Sequence, residues 1–148
     1  MSFSPNFRGA SSTAPTTSVQ NQLANNTGST LAKATPVYAN TSGELSLVNV
    51  SVEASSYSVL GLVVANILDT QKGNIIFNGK LTDVTTSAVF GDTLFVSKTG
   101  TLTNVKPTLG VGGFVSGDFV IRVGVVVKND LDPAKKDIII QIQLNGQL

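Results

Sequence analysis

From Leu31 onward the apolar residues come in short β-branched runs, cut every few residues by Gly, Asn, Asp or Ser. Such side chains crowd a helix but suit a pleated strand, and the glycines interrupt every window long enough to be helical. Residues 45–52 alternate approximately, with a doubled apolar step at Leu47 and Val48. Residues 59–67 are almost continuously apolar, as in a strand buried on both faces. Residues 74–80 (NIIFNGK) form a third run. Residues 88–90 and 93–96 form short fourth and fifth runs around Gly91-Asp92. Residues 119–127 (FVIRVGVVV) make the longest run, and residues 137–144 (DIIIQIQL) the last. About seven strands with turn residues between them, and no convincing helix, predict an all-β fold. The expected architecture is a small antiparallel barrel or sandwich over residues 31–148, as a single domain.

Weak internal echoes fit this reading. Gly43-Glu44-Leu45-Ser46, Gly79-Lys80-Leu81-Thr82 and Gly100-Thr101-Leu102-Thr103 share a Gly-x-Leu-Ser/Thr pattern of turn followed by strand. Gly61 and Gly124 each lie inside an apolar run, which predicts a bulge, a bend or the close approach of another backbone.

Residues 1–30 differ in kind. They are rich in Ser, Thr, Asn, Gln, Ala and Pro, and Arg8 is their only charge. Their apolar anchors, Phe3, Phe7, Val19 and Leu23, are too loosely spaced to close a core, which predicts an extended, polar N-terminal arm. Phe3, Phe7, Arg8, Val19 and Leu23 are the candidate partner-binding residues. Four apolar side chains supply on the order of 1.5 to 3 kcal/mol each when buried. Ordering some thirty residues at about 1 kcal/mol each costs more. An arm that binds must therefore also form backbone hydrogen bonds, for example by adding a strand to an exposed sheet edge.

Chemistry is scarce. The 148 residues include no Cys and no His, which removes thiolate catalysis, disulfides, the commonest metal ligands and every His-dependent triad. The carboxylates mostly stand beside Gly, Asn or Thr at predicted strand ends, where turn-capping Asp belongs. Asp130-Leu131-Asp132 lacks the rest of a calcium loop and is expected to be a hairpin loop. Gly110-Val111-Gly112-Gly113 lacks the Gly-Lys-Ser/Thr of a phosphate-binding loop and reads as a plain loop. No Ser has an activating partner in sequence. The expectation is a protein that is not an enzyme and uses no cofactor or metal.

Only 13% of residues are charged and the net charge is +1, so attraction to nucleic acid or an anionic membrane is not expected. No apolar stretch approaches the roughly 18 to 20 residues of a spanning helix, and no signal-peptide pattern opens the chain. The expected setting is a cytosol, until assembly. Hydrophobic strands with few charged edge guards aggregate unless paired or covered, so self-association is expected.

The block Gly91-Asp92-Thr93-Leu94-Phe95-Val96-Ser97-Lys98-Thr99-Gly100-Thr101-Leu102-Thr103 resembles one that recurs in small virion proteins of tailed bacteriophages, including capsid decoration or cement proteins and head-fibre-like proteins. The order around it is similar too: the GLVVANI run, then IIFNGKLTDV, then the ending GDFVIRVGVVVKN…DIIIQIQLNGQL. The resemblance spans residues 35–148. It implies a small β protein that assembles as a homotrimer on other virion proteins, such as the major capsid protein, with no active-site residues. The implied role is capsid decoration in the virion, after synthesis in the bacterial host's cytoplasm. The alternatives are a tail, neck, baseplate or fibre-associated part, or a carbohydrate- or protein-binding β domain. The lack of Trp leaves a sugar-binding platform poorly supplied.

Overall fold

The computed structural model describes residues 19–148. Strands account for 47% of it and helix for 4%, and the strands form one curled antiparallel half-barrel. In chain order the elements are β1 (Val19–Ala24), β2 (Pro36–Ala39), β3 (Leu45–Leu47), α1 (Glu53–Tyr57), β4 (Val59–Val63), β5 (Lys72–Leu81), β6 (Thr93–Val96), β7 (Leu102–Thr103), β8 (Phe119–Lys128) and β9 (Lys136–Gln147). The strand order is β3-β2-β4-β5-β9-β8-β6-β7, with β1 added to β5. The all-β expectation holds, and the sheet closes half of a barrel.

Two apolar clusters follow from the pleat. Neighbouring residues on a strand face opposite ways, so Ile75 and Ile76 enter different cores. Ile76 joins Leu62, Leu94, Ile121, Val126, Ile138 and others in the large one. Ile75 joins Leu31, Val37, Leu45, Val63 and Ile67 in a smaller one. The apolar run of residues 59–67 is a strand only to Val63, and there the same explanation holds: Leu62 serves the first cluster and Val63 the second.

Gly61 and Gly124 are both points of close backbone approach. A Cβ on Gly61 would lie 2.2 Å from the carbonyl oxygen of Ile76, and one on Gly124 2.1 Å from that of Ile139. The β8–β9 register shifts between Arg122 and Gly124, so the bulge and the close approach coincide. Gly43 and Gly100 sit at turns, as their echo predicts, but Gly79 lies within β5.

Several expectations need correction. The sheet begins at Val19, inside the stretch assigned to the arm, because β1 pairs with β5 from Val19↔Asn78 to Ala24↔Lys72. The run 45–52 is a strand only to Leu47. Beyond it Asn49 and Ser55 exchange hydrogen bonds, the Ser55 hydroxyl donating to the Asn49 carbonyl at 2.6 Å and accepting from its N–H at 2.9 Å. That turn leads into the short α1, a helix the sequence reading lacked, while Val48 and Val50 still fill the core. Residues 88–90 are no strand. The Lys136 ammonium donates to the carbonyls of Thr86 and Ala88, taking the place of a ladder there.

Candidate functional site

Of the five candidate contact residues, Phe3, Phe7 and Arg8 lie outside the described residues. Val19 opens β1 opposite Asn78, and Leu23 sits opposite Gly73. Leu23 is half-buried against the Ile75 cluster, so part of its surface belongs to the fold. What fastens this segment is Asn25, fully buried at 0% exposure. Its amide donates to the carbonyls of Ser29 (2.8 Å) and Ile67 (2.9 Å), and its Oδ1 accepts from the Thr27 N–H and hydroxyl. Its backbone N–H bonds the Gln71 carbonyl, and its carbonyl accepts from Thr70. In composition Asn25 looks like one more solvated polar residue. In the fold it satisfies the buried Ile67 carbonyl and the half-buried turn at Thr27 and Ser29.

β1 creates the most distinctive surface. One edge of β5 is shared: β1 takes Lys72 to Asn78, and β9 takes Asn78 to Leu81. At Asn78, opposite both Val19 and Gln141, β9 leaves β5 and continues with β8 alone. The result is a fork. Among the described residues, no strand pairs with residues 142–147 on the side turned away from β8.

Three shallow depressions surround the fork, of about 310, 420 and 250 Å³. They share walls: Phe77 lines the first and second, Ile142 the second and third, and Val59 the first and third. Leu23 and Leu60 extend the apolar wall at one end, and Tyr57 and Leu144 at the other. Phe77, Leu144 and Tyr57 are 41%, 39% and 62% exposed. Tyr57 is held edge-on to Phe119, with ring centroids 5.5 Å apart. Large apolar side chains beside an unpaired edge make a surface suited to an extended segment carrying apolar side chains.

Sequence reasoning treated Phe77, Ile142 and Leu144 as strand interior. One signal was available. Ile75, Ile76 and Phe77 are consecutive, so they cannot all enter one core. Along β9, alternate residues lose their cover in order: Ile138 and Ile140 are buried, Ile142 is half-buried at the core's margin, and Leu144 is exposed.

The polar groups do structural work. Asp118, 2% exposed, accepts from Lys98 at 2.5 Å, from the Ser51 hydroxyl at 3.0 Å and from the Val115 N–H at 2.9 Å. Burial disfavours its charge, but the bonds from Lys98, Val115 and Ser51 outweigh burial and hold its pKa below the usual Asp value. Asp92 also titrates below the usual value, through Asn104 first and then the Val89 N–H. Buried Asp137 accepts from Asn129 and the Asp83 N–H. Asp132 accepts from the Ala134 N–H, and Asp130-Leu131-Asp132 lies in the β8–β9 hairpin loop, as expected. Among the described residues, no three His, Cys, Asp or Glu side chains group as metal ligands. A polar hollow between residues 32–35 and 84–87 has Lys33 beside it, but that ammonium already serves the carbonyls of Thr82 and Asp83.

A second exposed apolar set lies on the connections before β6 and before β8: Val89, Phe90, Val105, Leu109, Val111 and Val115. Asn104 ties the two connections together through Asp92 at 2.9 Å. The chain matches no family model, no curated protein and no solved structure.

Proposed function

We propose that this chain is a non-enzymatic structural protein of a bacteriophage virion, most specifically a capsid decoration protein that binds the head and stabilises it. The observation that carries the reading is the fork, where an open sheet edge is ringed by exposed Phe77, Tyr57 and Leu144. On a chain with so few charges, a surface of that kind favours life in an assembly. The resemblance in residues 35–148 names the assembly: copies of this chain, as a homotrimer, on the major capsid protein. The buried carboxylates are engaged in backbone and lysine bonds, which leaves the geometry to support binding.

The test mixes purified protein with capsids lacking it and measures co-sedimentation and the stability of the capsids to heat. Saturable binding at a fixed stoichiometry, with a raised disruption temperature, is the expected result. Failure to bind heads, together with binding to isolated tails, replaces decoration by the tail-associated alternative. Failure to bind either ends the virion reading.

A further inference from the structure

The open edge of β9 is a binding site with a definable occupant. We propose that residues 142–147 and the apolar walls of the fork receive residues 3–8 of a second copy of this chain, added as an edge strand. The inference rests on the self-assembling role proposed above and names the contact through which it occurs.

The argument starts from what the site accepts. An unpaired edge takes an extended backbone, and the depressions beside it take apolar side chains. Ahead of Val19, large apolar side chains other than Met1 occur only at Phe3 and Phe7. In an extended strand, Phe3, Pro5 and Phe7 point to one face, and their backbone groups point to one edge. Ser4, Asn6 and Arg8 present the other edge. Ladder bonds through these three leave Pro5, which has no N–H, on the edge that needs none. The segment FSPNFR therefore satisfies both demands at once, with two aromatic rings for the fork and a complete set of donors for β9.

The reach is sufficient. Arg8 and Val19 are eleven steps apart in sequence, with ten residues between them; extended, the connection spans up to about 36 Å. The open stretch of β9 is about 20 Å long.

Direction selects a second copy over the chain's own arm. β1 and β9 are both antiparallel to β5, so they run parallel to each other, and both lead away from the fork at Asn78. A segment antiparallel to its own β9 has to reverse somewhere between Arg8 and Val19. Residues 9–18 (GASSTAPTTS) hold one Gly, at their start, and no Asn or Asp, so a return to the same chain's edge is a wide loop without the Asn-Gly or Asp-Gly turn of a tight hairpin. A neighbouring chain approaches the edge with no such reversal. Each copy offers one segment and one edge, so the contact closes as a reciprocal dimer or as a head-to-tail ring such as a trimer.

The chain has no cysteine, which makes single-thiol cross-linking clean. Full-length Phe7→Cys and Leu144→Cys variants are prepared separately, mixed and mildly oxidised. Leu131→Cys, 95% exposed at the β8–β9 hairpin tip, replaces Leu144→Cys as the control. The expected result is a disulfide-linked pair of one Phe7→Cys and one Leu144→Cys chain, at least tenfold more abundant than with the control. A full-length Phe3→Asp/Phe7→Asp variant is expected to associate at least tenfold more weakly in sedimentation. A disulfide forming only within a chain that carries both cysteines overturns the second-copy assignment. No cross-link above control, while the native chain still sediments as an oligomer, overturns this site and leaves self-assembly standing. A native chain that stays monomeric at high micromolar concentration overturns both.

Discussion

The two halves of β9 carry one continuous row of apolar side chains and have opposite fates. From Lys136 to Gln141 the strand is clamped between β5 and β8; from there to Gln147 it keeps β8 and loses β5. Ile138 and Ile140 are core residues, whereas Leu144 is 39% exposed. Apolar residues at even positions, Ile138, Ile140, Ile142 and Leu144, run through both halves. What differs is the neighbour, and the neighbour changes because β1 takes over the edge of β5 at Asn78. Hydrophobic pattern decides which face of a strand is apolar, and topology decides whether that face is covered.

The clamped half is where the fold breaks most easily. Gly124→Ala places a methyl group 2.1 Å from the carbonyl oxygen of Ile139, a backbone atom that cannot swing aside. Relieving that overlap means separating β8 from β9. The expected loss is about 3 kcal/mol, the upper range for overpacking, read as a lower midpoint in urea unfolding with the slope unchanged.

A smaller loss is expected where β1 is fastened. Asn25→Ala leaves the carbonyls of Ser29 and Ile67 without their amide donor, and the Thr27 N–H and hydroxyl without their acceptor. About 2 kcal/mol is expected for these stranded groups. Amide hydrogen exchange in β1 should accelerate more than in β8, since the lesion loosens the strand that forms the fork.

Asp118 supports the open half from the β8 side. Its carbonyl accepts the Leu148 N–H, while its carboxylate holds Lys98, Ser51 and the Val115 N–H. Its pKa is depressed in the folded chain. The stabilisation is therefore fully present above the ordinary Asp value of 3.8 and is lost as pH falls through the lower folded value. Asp118→Asn is expected to cost about 1 to 2 kcal/mol at neutral pH. It should also flatten the decline in stability below pH 4 (measured by thermal unfolding across pH), since Asn has no proton to take up.

Much of the sheet is legible in the sequence. The runs at 74–80, 93–96, 119–127 and 137–144 are strands because β-branched alternation and flanking turn residues act locally. The close approaches at Gly61 and Gly124 were readable for a similar reason, a lone glycine inside an apolar run. Val48 and Val50 show the limit: their burial was legible, but the Asn49–Ser55 bonds give them a turn instead of a strand. The fork was invisible. It depends on β1, whose sequence VQNQLA carries two well-separated apolar residues and whose anchor is a polar Asn25. A strand held by long-range backbone pairing and one buried amide leaves no periodic trace.

The smallest expected effect on the fold separates the two halves most clearly. Leu144→Thr trims an exposed side chain at the fork, puts a strand-favouring β-branched residue in its place and creates no buried cavity. Stability should change by no more than about 0.5 kcal/mol, as for other surface positions. Ile140→Thr, four residues earlier in the clamped half, puts a hydroxyl into the large core in place of a buried alkyl group. That variant should lose about 2 kcal/mol or more. Self-association should respond in the opposite order: weakened severalfold by Leu144→Thr, and unchanged by Ile140→Thr wherever that chain remains folded. Paired urea titrations and sedimentation runs on the two variants check this. Equal effects on association would mean that the open half of β9 is an uncovered strand end with no partner of its own.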